Sequence, residues 1–178
     1  MKKIYIIIIF ILIIAVAYIS FVEFYVLEIR VNETEELVFQ QKSNIDDYFS
    51  VYWIHSVTLQ PVIETYKLEE PGKIPIVKMT FDEFGPNLPA HPEFNQYWVI
   101  EDGKYNVLGY ERVFDRVPVT IGAVIADHRL IYNDSIIHLK DIYKPGGFIH
   151  IGLQRKCLFQ FLKEEVGIWI RNRMKILI

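Results

Sequence analysis

The chain begins with a run that a small soluble core has no way to use. From Ile4 to Val22, nineteen residues pass without a charge, and eight of the first eleven are isoleucine. A helix of that length reaches ~28 Å at ~1.5 Å per residue, close to the ~30 Å hydrocarbon core of a bilayer. A surface helix of a small domain needs a polar face, and this run has none. Lys2 and Lys3 precede it. Glu23, Glu28, Glu33, Glu35 and Glu36 follow it, with Arg30 as the only counterweight. The positive-inside bias then holds the N-terminus in the cytoplasm and sends the rest to the extracytoplasmic side. Ala15-Val16-Ala17 also fits a small-x-small cleavage site, which would make the segment a removable signal and the product secreted. The run stays apolar through Tyr18, Ile19, Phe21 and Val22, and that extra length favours a retained, single-pass anchor in the cell membrane.

The chain has 178 residues, enough for one domain beyond the anchor. With Lys2 and Lys3 set aside, seventeen Lys and Arg stand against 22 Asp and Glu, a balance of −5. Nucleic acid is not an expected partner, because phosphate binding needs clustered positive charge. Cys157 is the only cysteine, so no intrachain disulfide forms and packing alone holds the domain.

Past the anchor the texture is strand and turn. Leu27, Ile29 and Val31 alternate with Glu28 and Arg30, the period of a strand. Residues 46–56, 61–68 and 75–81 read as further strands. A proline-rich loop from Phe84 to Pro92 follows, unable to join a regular ladder. Tyr97–Ile100 and Tyr105–Leu108 flank Asp102-Gly103, a strong hairpin signal. Val117–Ile125 reads as a strand, and Leu130–Tyr132 and Ile136–Leu139 as a second hairpin. Lys144-Pro145-Gly146-Gly147 turns the chain into a last strand, Phe148–Leu153. The expected fold is all-β: an antiparallel sandwich or barrel of about ten short strands over residues 23–155. It is preceded by a transmembrane segment over 1–22 and followed by an amphipathic helix over 156–178.

That helix rests on Leu158, Phe161, Leu162, Val166, Trp169, Ile170, Met174 and Leu177, which recur at spacings of three and four. Six basic and two acidic residues lie from Arg155 onward. Such a helix either closes one end of the β domain or lies on the membrane surface. Residues 168–178 also admit an alternating strand.

Three short segments stand out chemically. The first is Trp53-Ile54-His55-Ser56-Val57, followed by Pro61-Val62 and Glu64. The second is Phe84-Gly85-Pro86-Asn87-Leu88-Pro89. The third is Asp127-His128-Arg129-Leu130. In this order and spacing they resemble a family of bacterial exported proteins grouped as a domain of unknown function, family eighteen-fifty. Its pattern is Tyr-Thr-His-Ser-Val, then Pro-Val and a glutamate, then Phe-Gly-Ala-Gly-Leu-Pro, then a later histidine before a leucine. The resemblance spans roughly Leu27 to Leu153. Trp53-Ile54 replaces Tyr-Thr, and Pro86-Asn87 replaces Ala-Gly. Membership implies an export signal, a β-rich domain and a frequent association with TAXI-type tripartite solute transporters, without a known activity. On that basis His55, Ser56, Pro61, Glu64, Phe84, Gly85, Leu88, Pro89 and His128 are the candidate functional residues.

Adjacent strand positions face opposite sides, so His55 and Ser56 do not form a nucleophile and its base. His55 and Glu64 are the better pair. A hairpin centred on Leu59 and Gln60 sets them face to face, and the carboxylate then fixes the imidazole tautomer. A slip in register breaks the pair. His55, Glu64 and His128 also form a conceivable ligand set, but their spacing does not resemble that of a metal site, and neither metal nor cofactor is expected. The Phe84–Pro92 loop serves as one wall of a ligand or partner site, or as a lid over the end of the sandwich.

Three functions follow. The first is an accessory module that contacts a transporter subunit, its solute receptor or the solute. The second is an extracytoplasmic enzyme with His55 as acid or base, oriented by Glu64. The third is a membrane-surface protein that works through the basic C-terminal helix.

Overall fold

A computed structural model describes residues 2–176. The apolar run is one helix, α1 (Lys2–Phe21), with its large apolar side chains exposed from Ile4 to Phe21. It is long and apolar enough to cross a membrane. Twelve strands follow among the described residues: β1 (Glu23–Val31), β2 (Leu37–Ser43), β3 (Tyr48–Ile54), β4 (Pro61–Lys67), β5 (Ile74–Phe81), β6 (Tyr97–Glu101), β7 (Lys104–Leu108), β8 (Val113–Phe114), β9 (Val117–Thr120), β10 (Arg129–Tyr132), β11 (Ser135–His138) and β12 (Phe148–Cys157). A one-turn helix α2 (Leu139–Ile142) follows β11, and a long helix α3 (Leu158–Ile176) follows β12.

The strands form two antiparallel sheets. The smaller has the order β2-β1-β12-β9. The larger runs β11-β10-β3-β4-β5-β7-β6, with β8 on the other end of β5. Both stay open, so the fold is the sandwich and not the barrel. The core between them follows strand alternation. Leu27, Ile29, Ile149, Ile151 and Leu153 from the small sheet meet Phe49, Val51, Tyr66, Ile74, Leu130 and Tyr132 from the large one. Two strands were not legible in the sequence. β2 carries Gln40-Gln41-Lys42 at its centre, and β8 is only two residues long. The expected strand 117–125 stops at Thr120, and the rest is loop.

Alternation alone would leave Glu28 and Arg30 in water. Instead Glu28 is 2% exposed and Lys156 5% exposed, because α3 covers the outer face of the small sheet. Lys156 Nζ lies 2.6 Å from Glu28, 2.6 Å from Glu164 of α3 and 2.9 Å from Gln40 Oε1. Arg30 holds both oxygens of Glu28 at 2.6 and 3.0 Å. Further along α3, Arg171 pairs with Glu36 and donates to the Leu37 carbonyl. Phe161 packs edge-on against Phe24 at 5.5 Å.

This docking corrects one expectation. The apolar stripe of α3 does not close an end of the domain. The charged outer face of β1 and β12 selects the side of the helix that carries Glu164 and Arg171. Phe159, Leu162, Val166, Trp169, Ile170 and Met174 therefore stay exposed. The strand alternative for residues 168–178 fails over the described part, which is helical. Leu177, counted in the expected stripe, lies outside the described residues. Glu23 pairs with Cys157, so the chain enters β1 from α1 beside the point where β12 turns into α3, and the two helices touch.

Removing one partner from a buried ion pair leaves the other charge uncompensated, at about 3–5 kcal/mol. In Lys156→Ala the Arg30 guanidinium still holds Glu28, so the expected loss is smaller, about 2 kcal/mol in urea unfolding. The double variant Lys156→Met/Glu28→Leu, which removes both charges and keeps the volume, is expected to lose markedly less.

Candidate functional site

The three distinctive segments meet at one end of the sandwich. β3 ends at Ile54, and the four residues 56–59 turn the chain into β4. His55 and Gln60 close the turn: the His55 N–H donates to the Gln60 carbonyl at 2.9 Å, and the His55 carbonyl accepts from Leu59 N–H at 2.9 Å. Leu59 takes φ +59° to complete it, a left-handed conformation that costs a branched residue ~1–2 kcal/mol. The gain that offsets this lies in the His55 side chain.

His55 is buried. Its Nδ1 accepts from the N–H groups of Val57 at 3.3 Å and Thr58 at 3.2 Å. The ring proton therefore sits on Nε2, which donates to the Pro86 carbonyl at 2.9 Å. One imidazole thus ties the turn after β3 to the proline-rich loop. Gly85 makes the approach possible. A Cβ there would lie 2.8 Å from His55 Cε1 and 3.1 Å from Thr58 Cγ2. Leu88 N–H returns to the Gly85 carbonyl at 3.2 Å, and its side chain is buried with Val62, Phe81 and Val107. Phe84 sits about half exposed against Trp98 and Tyr105.

The third segment joins through Trp53. Its ring lies 5.7 Å from His55 and 6.2 Å from His128, nearly parallel to the latter. His128 Nδ1 accepts from Gly122 N–H at 3.0 Å, and burial lowers the pKa of this imidazole. Ile54 N–H donates to the Ala126 carbonyl at 2.8 Å. Thr120, just before this loop, pairs with Phe148, level with the end of β1 remote from α1. The cluster therefore occupies the end of the sandwich distal to the helix.

The expected His55–Glu64 pair does not form. The turn lies over residues 56–59 rather than centring on Leu59 and Gln60, so Glu64 faces Val51, and Pro61 faces Ile54. Glu64 instead accepts from the Tyr66 hydroxyl at 2.7 Å. Burial raises its pKa, against the opposing pull of Tyr66 and of Arg112. Tyr110 is pushed up to about 12 by its own burial and by the Glu64 charge. The Tyr110 hydroxyl is buried without a hydrogen-bond partner among the described residues. Its ring lines a cleft of about 570 Å³, together with Met79, Leu88, Pro89, Phe94 and Arg112. Tyr66 was readable as a partner of Glu64, two positions along the same face. Nothing in the sequence pointed to Tyr110, which follows β7 and packs against both core clusters.

Ser56 is exposed on the turn, and Pro61 opens β4 half-buried. His138 pairs with Asp127 at 3.1 Å, and Arg129 and Lys140 share that carboxylate, holding it well below the usual range. His55 and His128 flank Trp53, and Glu64 joins neither in a ligand set. No group of three His, Cys, Asp or Glu side chains among the described residues is placed to hold a metal ion. With both ring nitrogens committed to backbone, His55 fastens loops and has no free nitrogen to offer a substrate.

Two outcomes follow from these contacts. Gly85→Ala is expected to cost about 2 kcal/mol or more by overpacking. In a His55→Ala background, where the ring is gone, the same change costs at least about 1 kcal/mol less, a coupling that a double-mutant cycle measures by denaturant unfolding. The second concerns pH. A carboxyl whose folded pKa is raised binds its proton more tightly in the folded state. Stability is then lost as pH rises from the ordinary glutamate range through the raised value. Glu64→Gln removes that loss, so its melting temperature relative to the unaltered chain is expected to be higher at pH 8 than at pH 4.

Residues 49–139 match the family profile described as Domain of unknown function (DUF1850). The matched segment runs from β3 to β11 and carries His55, Gly85, Leu88 and His128. The small sheet lies outside it except for β9, a narrower span than the resemblance from Leu27 to Leu153. No curated protein and no solved structure matches the chain. With half its length matched, the chain belongs to the DUF1850 family of domains of unknown function.

Proposed function

We propose that the chain is a single-pass, membrane-tethered accessory module. Its β domain stands on the extracytoplasmic side and docks onto a membrane-embedded partner. The family resemblance points to a subunit of a TAXI-type tripartite transporter, or its solute receptor, as that partner. One observation carries the reading. The motif side chains are spent on fastening loops, whereas exposed apolar surface gathers on α1 and on the stripe of α3 beside it. A soluble domain leaves such a stripe uncovered only at a cost, and a contiguous apolar patch marks an interaction surface. A single residue, Val22, joins α1 to β1, so the domain has little freedom to swing away from the membrane.

The enzyme alternative loses its proposed pair, since His55 and Glu64 do not meet. Direct contact with a solute is the second form of the binding reading. The observation that favours it is the cleft beside Tyr110, whose lining mixes Met79, Leu88 and Phe94 with Glu93, Glu111 and Arg112.

A photo-crosslinking residue at Val166, in native membranes, tests the docking reading. It is expected to capture a transporter subunit or its receptor, and Trp169→Glu is expected to reduce that capture at least ten-fold while the circular dichroism spectrum stays unchanged. Crosslinks to lipid alone, or capture unaffected by the charge, would overturn the reading.

A further inference from the structure

Each open sheet ends in two edges, and an unpaired edge is a row of free N–H and C=O groups. Three of the four edges here are guarded. Beside β2 lies α3, whose Arg171 already occupies the Leu37 carbonyl. β9 is four residues long and contains Pro118. β11 is also four residues long and runs directly into α2. β6 is different. It has no proline, no lysine and no bulge, and it pairs with β7 in unbroken register. Among the described residues no strand lies on its other side.

The turn chemistry shows which groups are free. Asp102 and Gly103 both take positive φ, 51° and 76°, in a two-residue turn that Glu101 and Lys104 close. In such a hairpin the closing pair exchanges both hydrogen bonds, and so does every second pair beyond it. Glu101, Val99 and Tyr97 therefore bond inward to β7. The N–H and C=O groups of Trp98 and Ile100 point outward. The surface around them is apolar: Ile100 is 66% exposed and Phe94, just before the strand, 94% exposed.

Charge brackets this edge. Glu93 precedes β6, and Glu101 and Asp102 end it. None of the three forms an ion pair among the described residues. We propose that β6 receives an extended segment of a partner polypeptide, apolar at alternate positions and carrying Lys or Arg at both ends. Backbone hydrogen bonds to Trp98 and Ile100 supply the register, and the flanking carboxylates supply the preference for basic ends. Pairing with a second copy is disfavoured. Antiparallel β6 strands centred on Val99 set Glu101 against Tyr97 and Asp102 against Gln96, so neither carboxylate meets a basic side chain across the seam. The edge belongs to the large sheet, whereas α3 packs on the small one, so this proposal stands or falls separately from the transporter reading.

The test uses the full chain in detergent and a labelled peptide, Lys-Lys-Val-Thr-Val-Thr-Val-Lys-Lys, read by fluorescence anisotropy at low salt. Saturable binding is expected. The same peptide with Glu in place of Lys is expected to bind at least ten-fold more weakly. So is the basic peptide N-methylated at the amides that would face β6. Ile100→Pro removes an outward N–H without removing a bond to β7, the one setting in which a strand tolerates proline. It is expected to weaken binding at least ten-fold with little change in melting temperature. If that variant fails to fold, the N-methyl comparison on the unaltered chain decides. No binding of the basic peptide would overturn the proposal, as would equal binding of the N-methylated one. A dimer that forms without peptide and dissociates on Ile100→Pro would replace the proposed partner with a second copy.

Discussion

A single imidazole organises the distal end of this protein. His55 accepts two backbone N–H groups through Nδ1 and donates to a backbone carbonyl through Nε2. Buried backbone groups without partners cost free energy, and a loop has few ways to satisfy them. Here one side chain satisfies three such groups on two loops that are far apart in the chain. The glycine at 85 and the indole at 53 follow from it. The first leaves room for the ring, and the second fills the space between it and His128. A histidine in a short motif invites a catalytic reading. Its surroundings show a ring whose hydrogen-bonding capacity is already used.

The outer face of the small sheet is governed by charge. Burying Glu28 and Lys156 is expensive unless each finds a partner, and Arg30, Gln40 and Glu164 complete the set. Glu164 comes from α3, so the helix and the sheet solve each other's desolvation problem. Because the charged side of α3 is spent on the sheet, its apolar side is left facing outward next to α1. The domain thus separates a fastened distal end from a flank beside α1 with an exposed apolar stripe. On the large sheet, β6 offers free backbone.

Much of the fold was legible because its signals are local. The apolar helix α1, the Asp102-Gly103 hairpin and the alternation of β1 each depend on residues within one element. The failures were non-local. β2 has a polar centre that makes sense only under α3. The proposed meeting of His55 and Glu64 needed the turn length, which the choice of closing pair decides. Tyr110 feels the charge of Glu64 from a separation in the chain that no motif records.

The residue order by itself determined that an uncharged segment of bilayer length precedes an antiparallel domain of short strands, because hydrophobic run length and period-two alternation are properties of neighbouring residues. The family resemblance, added to it, grouped the segments that carry His55, Gly85 and His128. Only the tertiary structure decided what they do, which side of α3 meets the sheet and which edge stays open. Those outcomes depend on which distant groups compete for each hydrogen bond and each buried charge, and that competition is settled only when the two sheets and α3 pack together.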